Sequence, residues 1–133
     1  MKKRAIIALL PLLIVVSSCV YGLVPPIFYP ESQKLGTVWY ETEGEYNGVW
    51  TRRGNSNVFD AVWRHGDKGE WVSAVLTIHI FGNSVNIKRR HSSDGADFNY
   101  TGTLSQDGTR VTGTEYRIGA KIGSPWSAVI TFN

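Results

Sequence analysis

The sequence predicts an all-β protein, a single small antiparallel meander that closes fully or partly into a barrel of about seven to eight strands. Three observations carry this. Apolar and polar residues alternate with period two in successive short runs from Thr37 onward, the mark of half-buried strands. Tight, glycine-containing turns separate those runs. Beyond the N-terminal apolar segment, no stretch has the spacing of an amphipathic helix.

Thr37–Glu41 is a short β-prone run, and Gly48–Arg53 supplies Val49, Trp50 and Thr51. In Val58–His65, Phe59, Ala61 and Trp63 share one face and Asp60 and Arg64 the other. Gly66-Asp67-Lys68-Gly69 reads as a turn somewhat longer than a tight hairpin. Trp71–Phe81 is long, with Val72, Ala74, Leu76, Ile78 and Ile80 on one side and Ser73, Val75, Thr77 and His79 opposite. Phe81-Gly82-Asn83-Ser84 turns the chain into Val85–Arg89, where Val85, Ile87 and Arg89 alternate with Asn86 and Lys88.

Ser92–Ala96 is a polar loop before Phe98–Leu104, whose Phe98, Tyr100 and Leu104 point together. Gln106-Asp107-Gly108-Thr109 is a hairpin turn into Arg110–Ile118. Trp126–Phe132 ends the meander, with Trp126, Ala128, Ile130 and Phe132 in register. Thr101-Gly102-Thr103 and Thr112-Gly113-Thr114 flank the Asp107-Gly108 turn almost symmetrically, so this hairpin is expected to coil strongly, as barrel closure requires.

The N-terminus has a different character. Lys2, Lys3 and Arg4 precede the apolar run Ala5–Val16, which is too short to span a bilayer and has the layout of a secretory signal peptide. Val16-Ser17-Ser18-Cys19 resembles the bacterial lipobox: an aliphatic residue, two small residues, then cysteine. The resemblance implies cleavage before Cys19, a diacylglycerol on its sulfur and acylation of the new amine, giving two chains where one alone anchors marginally. Val20 at the following position implies, by the same resemblance, an outer-membrane address facing periplasm or cell surface. The expected organisation is a signal peptide over residues 1–18, a lipidated tether over 19–36 and a barrel-like domain over 37–133. The tether holds Pro25, Pro26 and Pro30 but also Val20, Tyr21, Leu23, Val24, Ile27 and Phe28, so partial packing on the domain is expected.

Removing the leader changes the charge argument. Of 14 Lys and Arg, three leave with it, and the remainder balances 11 basic against 11 acidic residues. The overall excess of +3 belongs to targeting and gives no basic footprint for nucleic acid. Cys19 is the only cysteine, so no intrachain disulfide is possible. All 5 Trp, 6 Tyr and 5 Phe follow Cys19, which implies a core of large rings or an aromatic binding surface.

Gly48-Val49-Trp50 resembles the Gly-x-Trp of the first strand in lipocalins and their calycin relatives. The resemblance implies a meander barrel whose Trp50 closes one end and stacks on an arginine from a later strand, here Arg89 or Arg117. It does not extend to lipocalin ligands, because the chain is shorter than a typical lipocalin.

Residues 50–63 are the densest candidate site. Trp50, Arg52, Asn55, Asn57 and Trp63, with Arg89, are expected to form a binding face where rings anchor a partner and arginines pair with carboxylates. The competing reading makes Phe59 and Trp63 core and Asn55-Ser56-Asn57 a simple turn. His65, His79 and His91 lack the short spacing of a metal motif, so neither metal nor cofactor is expected. Asp60, Glu70, Asp94, Asp97 and Glu115 offer carboxylates but no sequence-level pairing, and nucleophile-elbow and phosphate-loop motifs are absent. No enzyme is expected. In Lys88-Arg89-Arg90-His91, alternation sends Arg89 inward, where it needs an acidic partner such as Glu115 or Asp60, and leaves Lys88 and Arg90 outside.

These readings converge on an outer-membrane-anchored lipoprotein that serves as a non-enzymatic binding or scaffold module. It would be held to the membrane through Cys19 and would meet an envelope protein partner. The alternatives are an inhibitor of a cell-wall hydrolase such as lysozyme, using Arg52–Asn57 or Ser92–Ala96 as the inserted loop, and a carrier of a small apolar or glycan ligand.

Overall fold

The computed structural model describes residues 29–133. The expected leader, the lipobox-like segment with Cys19 and the first part of the expected tether lie outside the described residues. Eight strands follow one short helix: α1 (Glu31–Lys34), β1 (Val38–Glu43), β2 (Tyr46–Arg52), β3 (Val58–His65), β4 (Trp71–Phe81), β5 (Ser84–Arg90), β6 (Phe98–Leu104), β7 (Arg110–Arg117) and β8 (Ser124–Thr131). Each strand pairs antiparallel with its sequence neighbour, and β8 pairs with β1, which closes the barrel. Closure leaves no free sheet edge.

The predicted strands are present, with small shifts at some ends. β1 and β2 run to Glu43 and from Tyr46, so the first hairpin is tighter than its sequence suggests; Gly44, at φ 55°, supplies the positive φ of the turn. β8 begins at Ser124 and includes Pro125, which pairs with Thr114 of β7. A proline is tolerated there because β1 pairs only with Ser127–Thr131, so no ladder on that side needs its missing N–H. Gly66–Lys68 forms a single 3-10 turn, ended by Gly69 in the left-handed region. Within the described part of the tether, Glu31–Lys34 forms one helical turn with an acid at its start and a lysine at its end, as the helix dipole favours.

Inward residues fill the barrel. Trp39, Trp50, Phe59, Trp63, Tyr100 and Trp126 are all buried, and the first three of these form a chain of ring contacts. Trp39 and Trp50 stack at 5.8 Å, and Trp50 also meets Trp63, Tyr100 and Trp126 at 5.7–5.9 Å between centroids. Room for so many rings comes from Gly102 and Gly113, which face each other across β6 and β7. A Cβ on Gly102 would lie 3.0 Å from the Trp126 ring, and one on Gly113 would collide with the backbone of Thr101 and Gly102. The Trp126 indole donates to the Thr101 carbonyl at 3.1 Å.

The two ends of the barrel differ. At the lower end lie α1, the β2–β3 loop, the β4–β5 and β6–β7 turns and the C-terminus. Buried Leu35 plugs this end, and its carbonyl accepts a 2.7 Å hydrogen bond from the Trp39 indole. At the upper end lie the β1–β2, β3–β4, β5–β6 and β7–β8 connections, over an interior that becomes polar and charged.

Candidate functional site

The polar end is built by strand alternation. Glu41 and Glu43 follow Trp39 on the inner face of β1, Arg89 follows Val85 and Ile87 on β5, Tyr100 faces in from β6 and Glu115 from β7. Glu41, Arg89 and Glu115 are the buried charged residues of the described chain. Burying them is costly unless each finds partners.

Arg89 is at the centre, 3% exposed. Its guanidinium lies 4.1 Å from the centre of the Trp63 ring and 4.6 Å from that of Phe98, a stacking arrangement suited to a flat, weakly hydrated cation. It pairs with Glu43 at 3.5 Å and Asp94 at 3.7 Å and donates to Ser92 Oγ at 3.0 Å and the Tyr100 hydroxyl at 3.3 Å. Tyr100 in turn donates to Glu43 Oε2 at 2.8 Å, and the Trp63 indole donates to Glu41 Oε2 at 2.8 Å. Burial raises the pKa of the Tyr100 hydroxyl, so it remains a donor.

Two of the acids have their ionisation disfavoured. Burial pushes Glu41 up to about 10, reinforced by Glu43. Burial pushes Glu115 up to about 8, again with Glu43 as the next cause. Glu41 Oε1 and Glu115 Oε2 have no donor reaching them, whereas a proton on either carboxyl turns an acceptor into a donor toward Glu43. Gly48 makes the cluster possible: a Cβ there would sit 2.7 Å from Glu41 Oε2 and 2.9 Å from each of the Trp50 and Trp63 indole nitrogens.

Above Arg89 opens a pocket of about 130 Å³, walled by Tyr46, Trp63, Val72 and Phe98 and rimmed by Glu43 and Asp94. It has the size of one polar side chain and falls below the roughly 300 Å³ at which drug-sized ligand sites begin. A hollow of about 310 Å³ on the outer wall, lined by His79, Asn86, Lys88, Asn99 and Thr101 among others, lies outside the barrel interior. Among the described residues, no group of three or more His, Cys, Asp or Glu is placed to hold a metal ion.

The six residues expected to make a binding face lie in different places. Trp50 and Trp63 are wholly inside the barrel, and Trp63 meets Arg89 at the upper end. Arg52, Asn55 and Asn57 lie at the lower end. Arg52 is spent on structure, donating to the carbonyls of Ser56, Asn55, Ser32 and Gly36 at 2.6–3.2 Å. Asn57 reaches His79. Outward Arg90 is likewise engaged, with the carbonyls of Arg89 and Phe98 and the side chain of Asn99.

Two expected pairings are corrected. The arginine stack falls on Trp63 in place of Trp50, because Trp50 is already covered by Trp39, Trp126 and Tyr100 while Trp63 lies nearer the mouth. Arg89 takes Glu43 and Asp94 as its ion pairs, with Glu115 in the same cluster and within reach of its charge; Asp60 points outward and pairs with Arg53 at 2.6 Å. Glu43 did not stand out in the sequence. Its alternation with Trp39 and Glu41 was the available signal, obscured by the strand appearing to end at Glu41.

Fold and site together define an eight-stranded antiparallel meander barrel with a plugged lower end and a charged upper mouth, compatible with a calycin-like barrel. No protein-family model matches the chain, and comparison with curated proteins finds no similar sequence.

Proposed function

We propose that this protein is a lipid-anchored, non-enzymatic binding module of the bacterial cell envelope, held by Cys19 at the outer membrane, and that it meets a protein partner with the upper end of its barrel. The filled interior is the observation that carries this reading. Stacked rings occupy the space a carrier would reserve for its ligand, so recognition belongs to the surface. The upper end offers a pocket of about 130 Å³ over Arg89, sized for one side chain of a partner. Around that end, Ile122 is 88% exposed and Trp71 64%, with Ile118 also exposed, the kind of apolar anchors that protein interfaces use. The described chain enters at the opposite end, so an anchor at Cys19 leaves this surface free to face outward.

The test is affinity capture from envelope extracts with the processed protein. Wild type is expected to retain a stoichiometric partner, and Ile122→Glu and Ile118→Glu, both at exposed positions, are expected to lose it while keeping the wild-type melting temperature. A partner retained undiminished by both variants, or no stoichiometric partner at all, would sink the reading. The inhibitor alternative gains support only if the captured partner is a hydrolase whose activity falls as the protein is added.

A further inference from the structure

We propose that the lower end of the barrel is itself a membrane-contact surface, with Tyr29, Phe81 and Phe132 entering the headgroup region of a bilayer that contains anionic lipid. This rests on the reading of Cys19 as the lipid anchor and adds an orientation that the anchor alone does not supply.

Three large aromatic side chains are exposed at this one end: Phe81 at 88%, Tyr29 at 58% and Phe132 at 50%. They come from separate parts of the chain. Tyr29 precedes α1, Phe81 ends β4 at the β4–β5 turn, and Phe132 follows β8. The first two are drawn together by α1, because Lys34 donates to the Gly82 carbonyl at 3.2 Å and Glu31 accepts from the Ile80 amide at 2.9 Å. Exposed rings gathered at one pole suit a water–hydrocarbon boundary, where aromatic residues concentrate. Lys34, Arg52, Arg53 and Arg110 lie at the same end and outnumber Glu31, Asp60 and Asp107.

The upper end also exposes apolar groups but is a poorer match for an anionic bilayer. Its loops carry Glu45, Asp67, Glu70, Asp94 and Asp97 against Lys68 and Lys121, while the lower loops balance Glu31 and Asp107 with Lys34 and Arg53. Strand-end arginines are more numerous above (Arg64, Arg89, Arg90 and Arg117) than below (Arg52 and Arg110) and offset much of that loop charge, so the poles differ chiefly in their loops and in the exposed rings gathered below. Length points the same way. Ten residue steps separate Cys19 from Tyr29, about 35 Å at full extension. An anchor at Cys19 therefore holds the lower end within that reach of the lipid, and a basic residue brought up to an anionic surface contributes about 1 kcal/mol.

The experiment places an environment-sensitive fluorophore on Asn83→Cys at the lower end and on Ala120→Cys at the upper end. Both are read in the processed full protein on vesicles of phosphatidylcholine and phosphatidylglycerol. The probe at 83 is expected to shift to the blue and to be quenched by headgroup-level quenchers, and the probe at 120 is expected to stay water-like. Phe81→Ser combined with Phe132→Ser should abolish the shift at 83. A water-like probe at 83, or equal shifts at both positions, would overturn the inference. Intact mass and dye uptake by the unsubstituted protein report separately on Cys19. A free thiol there would defeat the anchor reading. The lower end would then be tested with Cys19→Ser forms and added vesicles, where a water-like probe at 83 would count against it equally.

Discussion

Arg89 organises the upper end at the level of single residues. Removing one partner of a buried ion pair leaves the other desolvated and unpaired. Arg89→Ala strips Glu43 of its cation and removes the layer between Trp63 and Phe98. It is expected to cost about 3–5 kcal/mol in urea unfolding, and Arg89→Met, which restores packing without charge, should cost less. The buried carboxyls make a separate prediction. Glu41 and Glu115 have folded-state pKa values raised from 4.5 to about 10 and about 8. The unfolded chain therefore binds fewer protons between pH 4.5 and those values, and stability falls as pH rises through that window. Thermal melts should show a lower melting temperature at pH 9 than at pH 6. Glu115→Gln, which keeps a neutral side chain of the same shape, should flatten the dependence. An unchanged slope in that variant would remove Glu115 from the explanation.

At the level of elements, the β6–β7 hairpin carries the tightest constraint. Gly102 and Gly113 are opposed, and a methyl on Gly113 has no space short of moving the Thr101–Gly102 backbone. Gly113→Ala is expected to destabilise by about 1–3 kcal/mol or to prevent closure. Near-UV circular dichroism should report the loss through the packed indoles around Trp126. The paired Thr-Gly-Thr segments were legible in the sequence as a coiling signal, and the long alternation in Trp71–Phe81 revealed β4 to its last residue. The start of β8 was hidden because Pro125 reads as a strand breaker, a rule relaxed where β1 has already ended. α1 was not legible: a four-residue turn has no periodicity to detect. The Arg89 cluster was only half legible. Val85 and Ile87 showed that Arg89 points inward, but its partner Glu43 comes from β1, and that contact exists only once the barrel has closed.

For the whole molecule, the plug and the mouth have separate duties. Leu35 seals the lower end, so Leu35→Ala should lower stability by about 2–5 kcal/mol while leaving the proposed partner capture by the upper loops intact under folding conditions. On the lipoprotein proposal, Cys19→Ala should abolish incorporation of radiolabelled fatty acid and leave the precursor unprocessed; normal processing of that variant would refute it. Both described termini also emerge at the plugged pole. A reporter fused after Asn133 would therefore sit in the shadow of whatever surface holds the N-terminus, whereas one inserted at Ala120, in the β7–β8 connection, would stand at the far pole as a display site.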